Sequence, residues 1–336
     1  MNTAKRVNTT KRRLVPAARL LGIRAVIAVP VTIAVSAAIF LLASLSPFDP
    51  LAAYLGDNYQ SATQSQRQAT ADAYDTDQSW YTAWWHWLCD LLHGDLGWSS
   101  TQSLPVAEVL TSRLPFTLGL SAAALVAATV IAVGVGALAG MHRGGTVDKL
   151  CAAGSALFAS VPPFVVSLVL VAVLSVGLQW FPTSGARNPG DPYTAAGILE
   201  HAVLPFVALT LSQIPWLLLA TRASVVESVG SDAVRAARAR GVGGRDLMRG
   251  HIIPTSVAPT LALLGTRLPE VIAGAAIVET IFGWPGVASV LVDSAAALDF
   301  PLMAALAVGS ALAVLLGSAL SDAAATAIDP RIGMSA

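Results

Sequence analysis

The sequence predicts an all-α membrane protein built on six transmembrane helices, and three observations carry that expectation. Of 336 residues, 55% are apolar and 12% charged, about half the charged share of a water-soluble domain; the mean hydropathy is +0.66. Six apolar runs, at about 25–46, 115–140, 151–179, 201–221, 255–279 and 301–327, have the length a helix rising 1.5 Å per residue needs to cross a hydrocarbon core roughly 30 Å thick. The charges between the runs are lopsided. Sixteen Lys and Arg fall in 1–24, 141–150, 222–254 and 328–336, against only Arg67, Arg113 and Arg187 in 47–114, 180–200 and 280–300. Basic residues are retained on the cytoplasmic side, so an even number of spans with both termini cytoplasmic is expected.

The basic segment 1–24 carries Lys5, Arg6, Lys11, Arg12, Arg13, Arg19 and Arg24 and no acid. The uncharged stretch that follows, 25–46, exceeds the 7–15 residues of a secretory leader's apolar region, so it reads as a retained first helix. The outer segment 47–114 is acidic (Asp49, Asp57, Asp72, Asp75, Asp77, Asp90, Asp95, Glu108). Near its end Trp80, Trp84, Trp85 and Trp87 precede Leu88, Leu91 and Leu92, the pattern of a short helix at headgroup level. His86 and His93 lie on that helix, but a metal site needs more ligands at helical spacing, so none is expected. Cys89 falls outside and Cys151 near the inner face, too far apart to pair. Prolines within the runs (Pro30, Pro162, Pro163, Pro205, Pro215, Pro269) predict kinked, packed helices, and Gly136 and Gly140 allow two helices to approach closely.

The longest inner loop, 222–254, has a definite pattern. Ser231 or Asp232 can cap a helix over Ala233–Arg240, and Gly241 stands where a left-handed C-terminal cap belongs. Gly243 and Gly244 permit a sharp turn before a second short helix expected to end ahead of Pro254. Ala233, Ala236, Ala237 and Ala239 make the first helix thin, and Arg235, Arg238 and Arg240 surround it with charge. Such a knob fits a groove on another protein; the same basic segment also suits a connector held at anionic lipid headgroups.

The stretch from Asp232 to Pro254 resembles the coupling loop of ABC importer permeases, and DAVRAARARG is similar to the version in the dipeptide/oligopeptide/nickel permease family. The likeness extends through HGDLGWS (His93 to Ser99), RLP (Arg113 to Pro115), VPPF (Val161 to Phe164), His201 to Pro205, ETIFGWPG (Glu279 to Gly286), LVD (Leu291 to Asp293), Asp299 to Pro301 and DPR (Asp329 to Arg331). It covers about 85–331. The resemblance implies the type I ABC importer permease fold in a bacterial inner membrane, with a core at 115–330. It implies half of a translocation pathway for peptides, completed by a homologous second permease, two cytoplasmic ATPase subunits that bind ATP and Mg, and an extracytoplasmic binding protein. Asp232, Ala233, Arg235, Ala236, Ala237, Arg238, Gly241 and Pro254 are then the residues that couple to the ATPase. Nickel, a metal chelate or a siderophore is the alternative cargo. Lys5, Lys11 and Lys149 follow Ala4, Thr10 and Asp148, so no Gly-Lys-Ser/Thr phosphate loop exists, and the chain is expected to be neither an enzyme nor a holder of its own cofactor.

Arg267 and Glu270 depart from the family pattern. Three residues apart in the fifth run, they share a helical face, and either in lipid costs roughly 2.5–3.5 kcal/mol. They are read as a self-neutralising pair that also satisfies carbonyls freed by Pro269, or as part of the substrate pathway. An ion-coupled secondary transporter would use such a pair as a relay, but the inverted repeats it predicts are not evident. An intramembrane hydrolase ranks lower, because all five histidines fall at or beyond the ends of the runs. With three lysines, nucleic-acid binding has no basis.

Overall fold

The computed structural model describes residues 26–46, 59–74 and 78–328, with the isolated positions 22, 51 and 55. The basic N-terminal segment (apart from Gly22) and the terminal DPR therefore lie outside the described residues. Apart from a short hairpin of two-residue strands the described elements are helices: α1 (Val26–Ser44), α2 (Gln64–Tyr74), α3 (Trp80–Leu92), α4 (Val106–Met141), α5 (Thr146–Ser160), α6 (Pro163–Gly177), α7 (Ala195–Gly230), α8 (Asp232–Ala239), α9 (Gly244–Phe282), α10 (Val287–Ala297) and α11 (Phe300–Ile328). Strands β1 (Trp98–Ser99) and β2 (Leu104–Pro105) pair antiparallel between α3 and α4. Among the described residues five helices (α1, α4, α7, α9 and α11) are long and apolar enough to cross a membrane, and the count of spans is six if α5 and α6 form one broken span.

Three boundaries differ from the sequence expectation. α4 begins at Val106 rather than 115, because Val106 and Val109 are buried and their packing continues the helix back through Pro115. The third run is not one straight rod: α5 and α6 meet at 95°. Val161 and Pro162 are extended there, as residues preceding proline are driven to be, and Pro163 opens the next helix. The second short helix after Gly244 does not end ahead of Pro254. A widened π turn over Met248–Ile252, with the Ile253 N–H donating to the Met248 carbonyl, leads straight into the fifth span and relieves the clash a proline ring makes with the preceding turn.

The chain divides into two compact units. The smaller holds Ile27–Leu118 and Pro285–Ala313, around a core of Phe40, Trp87, Val106, Val290, Leu302 and Leu306. Here α3 does not present all its indoles outward. Trp87 is buried against Phe40, and the Trp84 Nε1–H donates to the buried Ser36 hydroxyl at 3.0 Å, halfway along α1. Trp85 is left exposed. The hairpin is fastened by Asp299, whose carboxylate is 2% exposed and accepts from the Ser99 hydroxyl at 2.6 Å, the Thr101 hydroxyl at 2.8 Å and the Thr101 N–H at 3.1 Å. Asp299 also caps α11 through the Leu302 N–H. Gly97, at φ +85°, lies where a Cβ would come within 3.1 Å of Pro301.

The larger unit holds Gly119–Trp284 and the chain from Val314 onward. α9 packs along α7, which is also flanked by α5 and α6. α4 meets α7 at the two glycines singled out in the sequence. A Cβ on Gly136 would lie 2.8 Å from the Leu218 carbonyl oxygen, and one on Gly140 2.8 Å from Val225, so only hydrogen fits. Hydroxyls join α7 to α9: Thr221 to Thr260 at 3.1 Å, and Ser228 to Thr255 and to Ser256, each at 3.0 Å. From α11, Ser321 inserts into α9. Its hydroxyl accepts from the Gly265 N–H at 3.0 Å and donates to the Leu261 carbonyl, the donor and acceptor an uninterrupted helix would pair directly.

Candidate functional site

α8 is a single surface helix with every local signal satisfied. The Ser231 hydroxyl accepts from the Val234 N–H, and Asp232 stands at the positive end of the helix dipole. At the far end the Val242 N–H reaches the Ala237 carbonyl at 3.1 Å and the Gly241 N–H the Arg238 carbonyl at 2.9 Å. With Gly241 at φ +81° this is a Schellman cap, the backbone state that favours glycine.

The spacing of three between Val234 and Ala237 turns both inward. Each is 0% exposed and packs with Val225 of α7 and Leu247 and Ile252 of α9. Ala237 therefore anchors the helix to its own bundle, whereas Asp232, Ala233, Arg235, Ala236, Arg238, Ala239, Arg240 and Gly241 are exposed. Asp232 and Arg235 form an ion pair on that outward face. The result is a flat outward face of small residues bounded by arginine and braced from beneath. Pro254, ten residues into the helix that begins at Gly244, is not on it. A second brace lies nearby: Asp148 of α5 accepts two hydrogen bonds from Arg222 of α7, the one from Nη2 at 2.9 Å, and one from the Gly144 N–H at 2.8 Å.

The intramembrane pair is formed as expected but has an additional partner. Arg267 Nη1 donates to Glu270 Oε2 at 2.5 Å, and its guanidinium lies 4.5 Å from the ring centre of Trp216 on α7. The Arg267 side chain is 19% exposed and that of Glu270 56%. Cys89 and Cys151 are both free thiols, and the His93 Nδ1–H donates to the Cys89 carbonyl at 2.8 Å.

Residues 132–334 match the family described as binding-protein-dependent transport system inner membrane component. The chain belongs to that family. It is thus a multi-pass permease of the ABC importer class with the type I fold. It is 29% identical to the oligopeptide transport system permease protein AppB of Bacillus subtilis, over 87% of this chain and 92% of the relative. A putative peptide permease of Brucella suis is 31% identical over 88% and 92%, and a probable D,D-dipeptide transport system permease, DdpB of Escherichia coli, is 30% identical over 88% and 91%.

Sequence reasoning on this permease overlooked three contacts. Asp299 carried a signal, since an Asp two residues ahead of a proline and an apolar run is a helix start, but its partners Ser99 and Thr101 did not. Asp148 with Arg222, and Ser321 with α9, join segments far apart in sequence and leave no local trace.

Proposed function

We propose that this chain forms half of the membrane pathway of an ATP-driven importer of peptides, receiving them from an extracytoplasmic binding protein. A homologous permease completes the pathway, and two cytoplasmic ATPase subunits, which hold ATP and Mg, drive it. The observation that carries the reading is α8: a capped helix, inserted by its Val234 and Ala237 side into the ends of α7 and α9, whose exposed face is alanine and arginine. Closure of an ATPase groove around that face would move both helices together, because the buried side of α8 is packed against both. Peptide as cargo is supported by the relatives, which are oligopeptide, peptide and D,D-dipeptide permeases by name; nickel and chelates are not favoured. Both termini, and α8 with them, face the cytoplasm by the distribution of basic residues.

In this reading Ala233, Ala236 and Gly241 meet the ATPase groove, Asp232, Arg235 and Arg238 its rim, and Ala237 and Pro254 act from behind. Gly241→Asp puts a β-carbon and a charge at a left-handed position, costing about 1 kcal/mol or more and spoiling the cap. With all four subunits co-expressed, the variant and a deletion of 232–241 should still reach the membrane but capture less than a tenth of the ATPase that the parent captures. Undiminished capture, with vanadate-sensitive peptide uptake intact, would remove the basis of the proposal.

A further inference from the structure

The end of the larger unit opposite α8 contains a recess of about 410 Å³, formed by the loop Pro182–Gly190 and closed at one side by His201. His201 and Ser231 lie on and at the end of the same helix, thirty residues apart, which at 1.5 Å per residue is about 45 Å. If α8 faces the cytoplasm, the recess opens where cargo arrives.

The recess is built rather than a gap between mobile side chains. The Gly185 N–H donates to the Phe282 carbonyl at 2.8 Å, pinning the loop to the end of α9. Gly185 and Gly190 hold left-handed conformations (φ +82° and +88°), and Ala186 between them is buried. Arg187 is oriented by its own neighbours: Nη1 donates to the Asp191 carbonyl at 2.6 Å, and the guanidinium lies 4.4 Å from the Tyr193 ring centre. One of its five donors is spent on that carbonyl. His201 is 6% exposed. Its Nδ1 lies 2.8 Å from the Gly197 carbonyl oxygen, which can only accept, so Nδ1 carries a proton and a neutral ring would offer the lone pair of Nε2. The motif His201 to Pro205 was read in the sequence, yet neither the coupling helix nor the intramembrane pair uses it.

We infer that this recess binds the C-terminal residue of an arriving peptide, with Arg187 donating to the terminal carboxylate and His201 Nε2 accepting from the last amide N–H. A planar guanidinium matches a carboxylate in charge and fork geometry. A buried imidazole acceptor selects a donor, which the peptide main chain supplies next to that carboxylate whatever its side chains. The volume lies within the range of small-ligand sites. The inference rests on the peptide-importer reading and adds that the permease itself recognises the end of its cargo.

The test uses the complete importer in proteoliposomes with excess loaded binding protein, and two tripeptides identical except for a free or an amidated C-terminus. Arg187→Gln, on an exposed loop, should lower the ratio of free-acid to amide uptake about tenfold, and Arg187→Lys should restore part of it. A tripeptide methylated at its last amide nitrogen should be taken up more slowly by the parent, with no such penalty in His201→Ala. Uptake at the parental level with both ratios unchanged overturns the recess assignment alone. No uptake of any peptide by the parent importer, with ATP hydrolysis intact, overturns the peptide reading and this inference with it.

Discussion

At the residue scale, Arg267 illustrates how a charge is kept at membrane depth. Pairing with Glu270 is a weak reason, since Glu270 is more than half exposed and an exposed pair contributes under about 1 kcal/mol. The face of Trp216 adds about 0.5–2 kcal/mol, more as water is excluded. Together these approach the roughly 2.5–3.5 kcal/mol of inserting an arginine without exceeding it, so nothing in the energetics makes the residue a stabiliser. A role in handling cargo has its own measurement in Arg267→Gln. The variant should assemble with its partners and keep basal ATP hydrolysis, while peptide uptake falls at least several-fold or changes its preference among peptides. Unchanged uptake would make the pair structural.

At the element scale, the contact of α4 with α7 rests on Gly136 and Gly140, whereas α9 and α11 meet through Ser321 and through Gly317, where a Cβ would be 2.5 Å from Leu268. Gly140→Val would force a side chain against Val225 and the Arg222 carbonyl. Overpacking of this kind costs about 1–3 kcal/mol and would displace Arg222 from Asp148. In detergent the variant should melt several degrees lower than the parent, and Gly134→Ala, where nothing lies within 4 Å of the added carbon, should melt with it. The glycine pair was visible in the sequence because its spacing of four is local. The 95° bend was half visible: Val161-Pro162-Pro163 announces a break, but its angle is set by packing against α7 and α9. The Ser321 insertion left no sign, since one serine in an apolar run reads the same whether it faces its own helix or a neighbour.

At the scale of the whole molecule, the spans and the capped helix were legible because hydropathy, basic residues and cap chemistry are all written in consecutive residues. The proposed sidedness rests on charge counting and has its own measurement. With Cys89 and Cys151 replaced by serine, a membrane-impermeant maleimide added to right-side-out vesicles should label Gln64→Cys and leave Ala239→Cys unlabelled until the vesicles are opened. The reverse pattern would invert the orientation and place α8 away from any cytoplasmic motor. What was not legible is the division of the chain. The smaller unit is assembled from two stretches separated by the whole of Gly119–Trp284, and no periodicity within either stretch reveals the other.

Asp299 sets a timetable for that division. Ser99 leaves the ribosome two hundred residues before the carboxylate that will hold it, an interval of about 10–40 seconds at 5–20 residues per second. Throughout it the early segment is an unfinished half whose hydroxyls have no carboxylate to bond. A nascent chain stopped anywhere before the last helix would thus leave that half incomplete and exposed to membrane proteases.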